Sequence, residues 1–81
     1  NLKEETLTKY NLLTRAIKER RKVFIRYYSY NKGENNRTIC PAEMFLFQDG
    51  WYVAAFCLKK NDIRHFELKR IIKIELLEET F

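Results

Sequence analysis

Eighty-one residues, 46% hydrophobic and 15% aromatic, exclude a disordered tail and leave no room for a second core. Two cysteines without a CxxC pair exclude a secreted disulfide scaffold, and a single His leaves a structural zinc site short of ligands. A formal net charge of +5 favours anionic partners, nucleic acid or phosphorylated ligands first, although a charge of this size also serves ordinary solubility. No signal peptide or apolar run of membrane-spanning length is present, so a cytoplasmic location without membrane contact is expected. In that reducing setting Cys40 and Cys57 read as small buried hydrophobes. The chain lacks an initiator Met and starts inside a polar segment, so the expectation is one domain over 1–81, a piece of something longer.

Residues 4–20, EETLTKYNLLTRAIKER, place Leu7, Tyr10, Leu13 and Ile17 at 3–4 spacing with Ala16 beside them, the stripe of an amphipathic helix. Glu4 and Glu5 come early and Arg20, Arg21 and Lys22 late, the order that suits the helix dipole. From Lys22 the period changes to two. Val23, Phe24, Ile25, Tyr27, Tyr28 and Tyr30 predict a first strand with one side on the core, followed by turn residues from Asn31 to Asn35. A second extended segment runs from Arg37 to Phe47, with Pro41 marking a bend, bulge or edge. Gln48-Asp49-Gly50, with Asp-Gly between two apolar runs, is a tight hairpin signal. Strand three then covers Trp51 to Leu58, the turn Lys59 to Asp62, strand four Ile63 to Leu68, and strand five Ile72 to Leu76, with Glu78-Glu79 as a solvated tail.

One helix and five short strands with hairpin-length links are too few strands for a typical two-sheet sandwich, and no crossover helix supports a parallel sheet. The expected fold is mainly β: a strongly bent five-stranded antiparallel sheet, closed or nearly closed into a small barrel over 22–77. The N-terminal helix would cover one opening.

Cys57, His65 and Asp62 are the ingredients of a nucleophilic triad, but they fall in short adjacent strands without a supporting motif. Carboxylates are scattered and no Gly-rich phosphate loop exists, so neither enzymatic activity nor a cofactor is expected. The stronger constellation is basic plus aromatic. Arg37 opens strand two, Arg64 lies early in strand four with His65 beside it, Arg70 follows that strand's end, and Trp51-Tyr52 open strand three. Guanidinium forks suit phosphate, and aromatic faces stack on bases. The packing reading runs alongside. Trp51 serves equally as the main core anchor, Val53, Phe66 and Leu68 as core, Tyr27, Tyr28 and Tyr30 as packing aromatics, and Lys59-Lys60 as a solvated turn. Arg64 shares strand parity with Phe66 and Leu68, so it points to the core side near a mouth and needs a carboxylate or a ligand anion there.

At these residues the chain resembles a known family. Trp51-Tyr52-Val53 is similar to the Trp-Tyr-Leu signature of the WYL domain, with Val for the usual Leu. Ala16-Ile17 followed by Arg20 resembles its helix end, with Ala-Ile and then an Arg, and Ile25-Arg26-Tyr27 follows in strand one. Arg37-Thr38-Ile39-Cys40-Pro41 resembles its Arg-x-x-x-Pro segment, and Arg64 to Ile71 its Arg-x-Phe-Arg-Leu-Asp-Arg-Ile stretch. Two positions depart: Glu67 stands where a basic residue is common, and Lys69 where an acidic one is.

The resemblance implies an Sm-like barrel with an N-terminal helix, placed after a winged helix-turn-helix in a bacterial transcription regulator. It also implies sensing of nucleic acid or a nucleotide-like ligand through Tyr52, Arg64 and Arg70, with Arg37 and His65 next. The expected arrangement has the anion bridging Arg64 and Arg70 beside Tyr52, with Glu67 repelling phosphate. An oligomerisation or docking module, possible as a homodimer, is the alternative, because small barrels expose sheet edges.

Overall fold

The computed structural model describes residues 3–81: a helix α1 (Glu4–Glu19) and five strands, β1 (Arg21–Ser29), β2 (Gly33–Phe47), β3 (Gly50–Cys57), β4 (Asp62–Glu67) and β5 (Ile71–Thr80). A short 3₁₀ turn, η1 (Leu68–Arg70), links the last two strands. All pairs are antiparallel, in the order β4-β3-β2-β1-β5. The helix ends abruptly at Arg20, whose left-handed backbone (φ 54°) turns the chain straight into β1. Such a conformation is costly for a residue with a Cβ. The Phe81 amide donates to the Arg20 carbonyl and the Arg20 Nε donates back to the Phe81 carbonyl, which ties the end of the chain to this corner.

β2 is the backbone of the sheet. Its first half pairs with β1 and its second half with β3, and the register slips between Pro41 and Glu43. This is the bulge that a proline without an N–H induces. The bend has a measurable consequence. Tyr27 pairs with Asn35 of β2, whereas Glu67 pairs with Tyr52, which pairs with Phe45 of β2. Ten residues of straight strand would hold those two points about 33 Å apart, beyond the molecule's longest extent of 30 Å. Instead the Glu67 amide donates to the Tyr27 hydroxyl at 2.9 Å. The sheet is therefore curled until β4 faces β1 across the core.

The expected barrel closure is not found in hydrogen bonds. β4 and β5 remain the two free edges of an open sheet, and the seam between them is spanned by η1 and by side chains. Two further differences are local. Within the expected Gln48-Asp49-Gly50 segment, the hairpin between β2 and β3 turns at Gln48-Asp49, both with positive φ (48° and 65°). Gly50 instead sits within β3, where an added Cβ would lie 3.0 Å from the Glu67 carboxylate. β5 also runs on through Glu78 and Glu79 to Thr80, with Lys22 Nζ 2.9 Å from Glu79.

The core consists of the inward faces of the strands, with Val23, Ile25, Ile39, Val53, Ala55, Phe66, Leu68 and Ile71 buried under Leu13 and Ala16 of the helix. Trp51 is only half-buried. It packs edge-on against Tyr10 of α1 at 5.1 Å, so it joins helix to sheet and is not the central anchor. Lys9 Nζ donates to the Leu68 carbonyl at 3.2 Å, fastening the helix over η1. Among the described residues no helix is long and apolar enough to cross a membrane.

A basic cleft as the candidate functional site

In an antiparallel meander the β1–β2 and β3–β4 turns fall at the same end of the sheet. Here they form the walls of a cleft of about 370 Å³. The end of β1 and its turn contribute Tyr27, Tyr30 and Lys32, β2 contributes Arg37, the second turn Lys60, β4 Arg64, and η1 Arg70. Five of the lining residues are cations and none is a carboxylate. Curling the sheet brings η1 back beside β1, which is how Arg70 reaches the same space as Arg37 and Arg64.

Arg37 lies at the floor, buried to 8% exposure. Its Nε donates to Asn35 Oδ1 at 2.7 Å and its Nη1 to Cys57 Sγ at 3.5 Å, both neutral partners. A cation so placed is costly unless an anion offsets it. Burial pushes the Cys57 thiol up, but the Lys60 amide and the Arg37 guanidinium beside it outweigh burial and leave it below the ordinary thiol value. At the rim the Lys32 ammonium lies against Lys60 and, with Arg37 adding, holds the Lys60 amine below the ordinary lysine value. Positive charge is therefore concentrated beyond what the protein itself offsets.

Arg70 is the most constrained of the set. Its Nε donates to the Tyr28 carbonyl at 3.1 Å, and its guanidinium lies 3.9 Å from the Tyr30 ring and 4.9 Å from the Tyr27 ring. Glu67 stands 4.0 Å from its Nη1. Glu67 itself is buried, shared between Arg70 and Lys69 at 3.6 Å, and does not line the cleft. The two departures from the family pattern thus meet as an ion pair.

The structure brings Arg37, Arg64, His65 and Arg70 to one cleft, and Tyr52 elsewhere. Arg64 is half-exposed at the mouth and paired with Asp62 at 3.2 Å. Tyr52 lies on the outer face of the sheet, stacked on Phe45 at 5.4 Å, with Phe47 at 6.0 Å. The His65 ring packs against Phe45 at 4.9 Å on that same outer face, while the residue also borders the cleft. The Cys57 side chain points into the core and His65 away from it, so no nucleophile–base pair forms. The aromatic beside the arginines is Tyr30, with Lys32 and Lys60 completing the cleft. In the sequence Tyr30 reads as a packing aromatic, Lys32 as a turn residue and Lys60 as part of a solvated turn.

Residues 8–76 match the model of the WYL domain family. Among solved structures, proteasome accessory factor B/C (PafBC) of Arthrobacter aurescens superposes with a TM-score of 0.90 at 26% sequence identity. The match covers 99% of this chain and 13% of that one, so the chain spans about an eighth of the length of that protein. No curated protein matches the chain in sequence.

Proposed function

The chain belongs to the WYL domain family, and we propose that it is the ligand-sensing regulatory domain of a bacterial transcription regulator. The ligand is single-stranded nucleic acid or a nucleotide-like anion, held in the basic cleft by Arg64, Arg70 and Arg37. The observation that carries this reading is the lining itself, five cations with no carboxylate around one cleft. Guanidinium forks take phosphate oxygens bidentately, and the exposed face of Tyr30 offers a base a stacking surface. The curled sheet capped by its helix is read as an Sm-like barrel left open along the β4–β5 seam. An upstream helix-turn-helix, whose equilibrium the ligand would bias through its differential affinity for two states, completes the reading. The domain is taken to be non-catalytic and cytoplasmic.

Binding of a short oligothymidylate, followed by anisotropy over a salt series, tests it. The affinity should fall with salt, and Arg64→Ala should flatten the slope by about one unit per lost phosphate contact. Absence of any salt-dependent binding to DNA, RNA or nucleotide defeats the reading. A docking or self-association module is the second reading, and the outer aromatic face favours it, with Phe47 53% and Ile63 51% exposed. Sedimentation that gives a monomer at every concentration removes the self-association form of it.

A further inference from the structure

The cations of the cleft are not equivalent. Arg64 is paired with Asp62, and Arg70 is occupied by a carbonyl, two aromatic rings and Glu67. Lys32, Lys60 and Arg37 take part in no ion pair among the described residues. They reach the cleft from three different elements: the β1–β2 turn, the β3–β4 turn and the middle of β2. Arg37 is more than nine-tenths buried with only neutral partners, and the two ammonium groups lie against each other at the rim. A buried cation without counter-charge and two abutting like charges are both unfavourable. One anion set among the three relieves both.

The number and placing of these charges discriminate between kinds of phosphate. An internal phosphodiester brings a single charge per phosphate, and proteins that follow a strand spread their cations along a groove. A phosphate monoester brings about −1.5 to −2 on three terminal oxygens. Three unpaired cations from three elements, lining one cleft of about 370 Å³, match the second pattern.

We propose that Arg37, Lys32 and Lys60 form a seat for a phosphate monoester, so that the cleft takes the phosphorylated end of a nucleotide or oligonucleotide and not its internal backbone. The inference rests on the anionic-ligand reading above and specifies the end of the ligand. Arg64 and Arg70 are left for the next phosphate or the sugar, and Tyr30 for the terminal base.

The test uses oligothymidylates of one length carrying a 5′-phosphate, a 3′-phosphate or hydroxyls at both ends, with an internal label, at one salt concentration. One of the phosphorylated ends should bind about tenfold or more tightly than the hydroxyl-ended strand, and which end it is identifies the polarity of the seat. The paired substitution Lys32→Ala and Lys60→Ala, at turn positions outside the core, should remove most of that advantage while circular dichroism stays unchanged. Equal binding of all three strands overturns the seat and leaves the anionic-ligand reading standing. An advantage that survives in the paired variant overturns the assignment to these residues. No binding of any strand overturns both.

Discussion

Tyr27→Phe isolates the hydrogen bond by which the end of β4 is held to β1 across the core. The substitution keeps the ring, and with it the edge contact to Phe66 at 5.0 Å and the Arg70 guanidinium at 4.9 Å. It removes only the hydroxyl that accepts from the buried Glu67 amide at 2.9 Å. An N–H stranded without an acceptor costs about 1–3 kcal/mol, and in a domain of this size each kcal/mol moves the melting point by roughly 4–8 °C. A fall of about 4–24 °C is expected on that arithmetic, measured by circular dichroism on both proteins. Titration adds a second readout. Burial pushes the Tyr27 hydroxyl above its ordinary value of 10.0, so the folded state favours the neutral form. Its contribution is complete below the unfolded value and is lost as pH rises through the higher folded one. Wild type should therefore lose stability more steeply than the variant above pH 10.0. A variant that melts within a degree or so of wild type would refute the reasoning, because water would then be satisfying the amide and the seam would be held by something else.

Leu13→Ala should cost about 2–5 kcal/mol in urea unfolding, since Leu13 is fully buried between helix and sheet. Leu7→Ala on the same stripe should stay within about 0.5 kcal/mol, because Leu7 remains 43% exposed; similar losses at the two positions would contradict the docking described. Both cysteines are buried, Cys57 completely. Modification of native protein by an aromatic disulfide reagent should thus be limited by unfolding and rise with denaturant. Reaction of Cys57 at the rate of a free thiol would show that the cleft floor opens on its own.

The strand count, the helix and most of the core could be read from periodicity, because a chain this short has few ways to bury Val53, Phe66 and Leu68 together. The open seam could not. It depends on how far β2 bends at Pro41, and a proline announces a bend without giving its angle. The β2–β3 turn falls within Gln48-Asp49-Gly50, but the place of Gly50 at the start of β3, close to the Glu67 carboxylate of the paired strand β4, is a tertiary contact that the turn residues do not announce. At the site, Arg37, Arg64 and Arg70 were visible as basic residues at strand ends. Tyr52 was drawn in by its place next to Trp51, yet strand alternation turns it to the other face, since Val53 is buried. Lys32 and Lys60 do leave a signal in the sequence. Alternate turns of an antiparallel meander lie at one end, so lysines in the first and third turns share that end of the sheet.

That meeting has a consequence for the ligand-free chain. Lys60 is exposed to repulsion from Lys32 and Arg37, on a chain whose net charge is already +5. If the crowding exists to receive an anion, removing one member should relieve the empty protein. Lys60→Ala is therefore expected to melt above wild type at low ionic strength. The difference should shrink as salt is raised, since the screening length falls from about 30 Å at 0.01 M to about 3 Å at 1 M. Inorganic phosphate, compared with chloride at equal ionic strength, should raise the melting point of wild type and do much less for the variant, because an anion bound only to the folded state stabilises it by mass action. A Lys60→Ala protein that is less stable than wild type at every salt concentration would mean that the lysine holds the turn together. The cationic cluster would then be a product of the fold and not a binding site kept open at the fold's expense.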